Sequence, residues 1–78
     1  MAAVTDVVNL VTGNLPFEVI QCVASDAETY VSRFKTIYGA LANSKSRTGA
    51  WCSWSGGTVT FNCSSASDDT VIMLIIGK

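Results

Sequence analysis

The residues with the widest chemical range are three cysteines, Cys22, Cys52 and Cys63. A thiol can form a disulfide, ligate a metal as thiolate, or act as a nucleophile. The chain has no histidine, so a serine or cysteine nucleophile lacks its usual base. The cysteines show no Cys-x-x-Cys spacing and no fourth ligand lies near them, so no zinc site and no other cofactor is expected. Asp68-Asp69 is a carboxylate pair, but adjacent carboxylates in a Ser-rich turn (Ser64, Ser65, Ser67) serve to solvate or cap it. Catalysis is not expected. What remains is disulfide chemistry. A bridge from Cys22 to Cys52 or Cys63 closes a loop of about 30 to 40 residues, worth roughly 3–4 kcal/mol in the chain-entropy model. The other reading is three reduced thiols acting as small buried hydrophobes. Three is an odd number, so one thiol is left for a partner chain or stays single.

The second group is aromatic and polar. Trp51-Cys52-Ser53-Trp54 is followed by Gly56-Gly57, which suits the two central positions of a tight hairpin turn. That turn makes Ser55 face Thr58, Trp54 face Val59 and Cys52 face Phe61. Trp54, Cys52, Val59, Phe61 and Cys63 then share the core side. Trp51, Ser53, Thr60 and Asn62 share the polar side, and a slip of one residue would mix the two sets. Trp51 among hydroxyl and amide groups has the make-up of a sugar-stacking platform or an interface anchor. It serves equally well as a tryptophan covered by the N-terminal segment. Asn62-Cys63-Ser64 is an N-glycosylation sequon, which makes Asn62 a candidate glycan site. The basic loop around Lys45 and Arg47 reads as solvated chain.

The elements that must hold these groups come next. Ala27, Tyr30, Val31, Phe34, Ile37, Tyr38 and Leu41 recur at helical spacing. The periodicity therefore predicts an amphipathic helix over about 26–42. Ser25 and Glu28 are placed as its capping box. Val4, Val7, Val8 and Val11 fit a short N-terminal helix capped by Gly13, although valines favour strand. Residues 16–23 and the hairpin read as strands. Thr70 to Ile76 is an unbroken apolar, β-branched run, the pattern of a strand buried on both faces or covered at its edge. The expected fold is α+β. It has a mostly antiparallel four-stranded sheet with the helices packed on one face.

Length and composition set outer limits. Seventy-eight residues form one domain, 1–78, with a small core. Hydrophobic residues make up 49% and charged residues 14% of the chain. That charged share is well below the usual quarter or so, so the excess apolar matter goes into the core or onto a face another chain covers. Net charge is −1 with five scattered basic residues, which gives no basic stripe for nucleic acid. No run approaches the roughly 20 apolar residues of a membrane span. Met1-Ala2-Ala3-Val4 lacks the basic start of a signal peptide.

A Cys before an amphipathic helix (Cys22), a Cys-bearing hairpin (Trp51 to Cys63) and a closing apolar strand (Thr70 to Ile76) together resemble small secreted fungal proteins of the killer-toxin and effector type. The resemblance is architectural and covers most of the chain from Pro16 on. It implies a compact α/β sandwich, secretion, and action on other cells through a surface receptor, membrane or protein partner. The leading expectation is thus a secreted, non-catalytic binding protein, toxin-like or effector-like. The main alternative is a cytoplasmic interaction module or assembly subunit, an obligate oligomer joined by apolar surface or the odd cysteine. A weaker one is a carbohydrate-binding domain built on Trp51.

Overall fold

The computed structural model describes residues 2–11, 15–45, 49–64 and 67–78. Among these the chain forms strands and no helix. In chain order they are β1 (Thr5–Asn9), β2 (Phe17–Ala24), β3 (Glu28–Val31), β4 (Ile37–Ser44), β5 (Trp51–Ser55), β6 (Thr58–Asn62) and β7 (Asp69–Gly77). They make a four-stranded sheet, order β1-β2-β7-β4, and a three-stranded sheet, order β3-β6-β5. Every strand ladder is antiparallel. The architecture is therefore all-β, and the α+β expectation is corrected.

The helix expected over 26–42 is instead β3, an irregular stretch, and β4. The same residues also alternate in two stretches: Tyr30, Ser32 and Phe34 turn inward between exposed Val31, Arg33 and Lys35, and after exposed Thr36 the pattern restarts with Ile37 inward and Tyr38 exposed. Thr29, Tyr30, Val31, Thr36, Ile37 and Tyr38 are β-branched or aromatic, which favours strand once sheet partners are available. The helical stripe was a coincidence of two periods on one segment. The capping box is a different turn. The Ser25 amide donates to Glu28 Oε1 at 2.8 Å, but the Glu28 amide donates to the Ser25 carbonyl, not its hydroxyl. This closes the corner where the chain leaves one sheet for the other. The N-terminal helix is likewise replaced by β1, and its proposed cap, Gly13, lies outside the described residues. So do Ser46, Arg47 and Ser65, while Lys45 directly follows the end of β4 at Ser44.

The corner at 25–28 forces Ala27 to φ +66°. That conformation costs a side-chain-bearing residue about 1–2 kcal/mol. Ala27→Gly is expected to stabilise the protein by about 0.5–1 kcal/mol, the relief less the extra freedom glycine brings to the unfolded chain. Urea unfolding checks this, and an unchanged or lowered midpoint would count against it.

The hairpin register is as the Gly56-Gly57 turn requires: Trp51 opposite Asn62, Cys52 opposite Phe61, Ser53 opposite Thr60, Trp54 opposite Val59. Gly56 has φ +60°, which fits the first central position of a II′ turn. Gly57 is needed for a second reason. A Cβ there would collide with the Phe34 carbonyl oxygen, and Ser32 donates its amide to the Gly57 carbonyl. The 32–36 segment thus closes directly over the hairpin tip. One side-chain placement differs from expectation. Trp54 shares the inward side with Cys52 but is 42% exposed. It lies on edge strand β5, one residue from the turn, so fewer neighbours can cover it.

The core lies between the sheets. Ile20, Cys22 and Ala24 from β2 and Val71, Met73 and Ile75 from β7 meet Val59 and Phe61 from β6. Val4 joins them, because residues 2–4 run along β3 in a short parallel pairing at Thr29.

Candidate functional site

Each sheet has an outer face, and the two are chemically opposite. On the three-stranded sheet, Phe61 and Val59 point inward, so their odd-even neighbours point out. The ladders then set Thr29, Thr60 and Ser53 in one row and Val31, Thr58 and Ser55 in the next. Asn62 and Trp51 form a third row. Apart from Val31 and Trp51, both more than half exposed, this is the usual antiparallel pattern of apolar residues inside and polar residues outside.

All four residues singled out from the sequence (Trp51, Ser53, Thr60, Asn62) are on this polar face. Trp51 is 58% exposed. Residues 2–4 pair with β3, at the far edge from Trp51, and β1 pairs with β2 in the other sheet. Asn62 donates from Nδ2 to Ser53 Oγ at 3.2 Å and to the Thr60 carbonyl at 3.1 Å. Nδ2 is the atom a glycan would occupy, and glycosylation replaces one of its two hydrogens, so it would have to break at least one of these bonds. The face sets hydroxyl groups beside an aromatic ring.

The four-stranded sheet does not follow the inside–outside rule. Its inner positions on β2, β7 and β4 are apolar apart from Glu18, Ser44 and Asp69, and its outer positions are mostly apolar as well. One outer row is Phe17, Ile76 and Gly39; the next is Val19, Leu74 and Leu41. A third is Val8, Gln21, Ile72 and Asn43. On β2, β7 and β4 none of these outward residues carries a charge. Leu41 is 66% exposed, and Ile72 and Ile76 are each more than two-fifths exposed. A groove of about 340 Å³ runs between β2 and β7, lined by Pro16, Phe17, Leu74 and Ile76.

Sequence reading did not name this face as a site. Its signal was nevertheless visible in the 70–76 run, which is apolar at every position but Thr70. That pattern calls for cover on both sides. The core covers Val71, Met73 and Ile75, and the other side of β7 stays open.

The interior carries the remaining chemistry. Glu18 is only 5% exposed. Its Oε2 accepts from the Tyr30 hydroxyl at 2.7 Å and its Oε1 from the Ser32 hydroxyl at 3.0 Å. Ser32 Oγ in turn accepts from the Phe34 amide. These bonds tie β2 of one sheet to β3 and the 32–36 segment of the other. Arg33 reinforces the junction by donating to the carbonyls of Leu15 and Phe17 while resting on the Phe34 ring, 4.3 Å from its centroid.

Cys22 on β2 and Cys52 on β5 are buried thiols on opposite sheets. Burial pushes both up to about 11, and each has a charged or ionisable neighbour that adds to this: Glu28 for Cys22, and Cys22 for Cys52. A Cys22–Cys52 bridge would staple the two sheets through the core. Cys63 lies just past β6, half-buried, with its amide donating to Asp26 Oδ1 at 2.9 Å. The Asp68-Asp69 pair is divided: Asp69 opens β7 and accepts from the Ser44 hydroxyl, while Asp68 is exposed. Among the described residues no three His, Cys, Asp or Glu side chains group to hold a metal. Among them, too, no helix is long and apolar enough to cross a membrane.

No family model matches this chain, and no curated protein or solved structure matches it.

Proposed function

We propose that this protein is a non-catalytic association module whose working surface is the outer face of the four-stranded sheet. One observation carries the reading. Two sheets in the same chain are built by different rules, one mostly polar outside, with Val31 and Trp51 as its apolar exceptions, and one mostly apolar outside. A face left to water has no use for Leu41, Ile72, Leu74 and Ile76. Chains of this size seldom expose so large a continuous apolar patch unless something docks on it. The absence of charge on β2, β7 and β4 fits the uncharged centre of a protein–protein interface. This favours the assembly reading over a sugar platform at Trp51, whose neighbouring Asn62 amide is already engaged. Secretion and action on a target cell are compatible with the same surface, since it would serve a receptor as well as a subunit.

The test is the double variant Leu41→Lys/Ile72→Lys. Both side chains project from the sheet away from the core, so the fold should survive, with far-UV dichroism unchanged. The reading expects wild-type protein either to bind anilinonaphthalene sulfonate or to scatter light as a complex. The variant should do neither. A variant that matches wild type in both dye binding and scattering would overturn the proposal.

A further inference from the structure

Resting on that reading, we infer that the occupant of the apolar face is a second copy of this chain, packed sheet to sheet across a two-fold axis. Size comes first. Its four strands, of five, eight, eight and nine residues, span roughly 490 Å² in projection at about 4.8 Å spacing and 3.4 Å per residue. Two such faces bury on the order of 1,000 Å² together, the size of a weak, reversible interface. The face is therefore large enough for a dimer that dissociates on dilution.

Charge comes second. A partner of opposite charge would be met by a charged face, and the outward positions of β2, β7 and β4 have none. A neutral apolar sheet is complementary to its own kind. Two such faces pack at about 10 Å, as in a β-sandwich.

Shape comes third. The face has a projection and a depression side by side. Leu41 stands on edge strand β4 with two-thirds of its surface exposed. The groove between Phe17, Leu74 and Ile76 lies across β7 from it. Gly39 shares a row with Ile76 and leaves open space where a Cβ would be. A two-fold axis in the interface plane, midway between Leu41 and the groove, sets each copy's Leu41 over the other's groove. Such an isologous contact is self-complementary, the commonest arrangement in oligomers. The row containing Gln21 and Asn43 then falls toward the rim, where water satisfies its amides.

Sedimentation equilibrium on the intact wild-type chain tests this, together with isotope-filtered NMR on mixed labelled and unlabelled protein. The expected result is a dimer that dissociates on dilution. Contacts between copies should join Leu41 methyls to the Phe17 ring and Ile76. Leu41→Lys should weaken dimerisation at least tenfold, and Thr60→Lys on the opposite face should leave it unchanged. A monomer at all concentrations that binds anilinonaphthalene sulfonate would overturn the second copy but leave the association surface standing. A dimer with Trp51 at its contact, or a monomer that binds no dye, would overturn both.

Discussion

Replacing Glu18 by leucine is expected to cost the fold about 2–4 kcal/mol, although leucine suits a buried site far better by composition. The loss comes from what is left behind. The Tyr30 and Ser32 hydroxyls both donate to the carboxylate, and each hydrogen bond to a charged group is worth about 1.5–3 kcal/mol. Removing the acceptor strands two donors in a region that water does not reach easily. Part of the loss is offset because a carboxylate no longer has to be buried. A domain of this length is stable by roughly 4–12 kcal/mol, at about 0.05–0.15 kcal/mol per residue, so the change is a large fraction of the total. Glu18→Gln keeps an acceptor of the same shape and should lose about half as much. Urea unfolding of the three proteins measures both differences. A leucine variant within 0.5 kcal/mol of wild type, a threshold set by the roughly 0.5–1.5 kcal/mol of one ordinary hydrogen bond, would show that the Glu18 junction does not hold the sheets together.

Alkaline pH should produce the second large effect. Burial raises the Cys22 and Cys52 thiols from 9.0 to about 11. Their contribution to stability is fully present below about pH 9. Between pH 9 and 11 the unfolded chain ionises first and holds fewer protons than the folded one, so stability falls as pH rises. The slope approaches about 1.4 kcal/mol per pH unit for each thiol. Tyr30 acts in the same direction from higher pH, because burial and its bond to Glu18 push its hydroxyl upward. Urea midpoints followed from neutral pH to about pH 11 should therefore drop steeply. Cys22→Ala/Cys52→Ala should be less stable at neutral pH but flatter from pH 9 to 10. If the wild-type midpoint holds level across that interval, or if oxidation has already removed both thiols, the drop will not be seen. Thiol titration of the same sample separates those two cases.

How much of this was legible in the sequence differs from element to element. The hairpin was legible down to its register, because Gly56-Gly57 fixes the turn and the flanking residues sort cleanly by face. β2 and β7 were legible as strands from their β-branched content. The 26–42 segment was not. Tyr30 and Phe34 satisfy a helical stripe and a strand alternation at once, the alternation restarts one residue out of step at Ile37, and the pairing of β3 with β6 and β4 with β7 decided between them. Local pattern carries no information about those distant partners. The polar quartet around Trp51 was found correctly as a shared face, since it depends only on hairpin register. The apolar face was missed because it spans strands from opposite ends of the chain. Val19, Leu74 and Leu41 are neighbours only once β7 lies between β2 and β4. The open side of β7 was nonetheless implied by its composition, which asks for cover on both sides.

Carbene footprinting over a range of protein concentrations tests the central claim most directly, because it reads which face becomes covered. As association proceeds, labelling should fall in the 69–77 strand at Ile72, Leu74 and Ile76 and in β4 at Leu41. Trp51 and Thr60 should stay labelled throughout. Protection of the Trp51 face, with the four-stranded sheet still open to the reagent, would contradict the account.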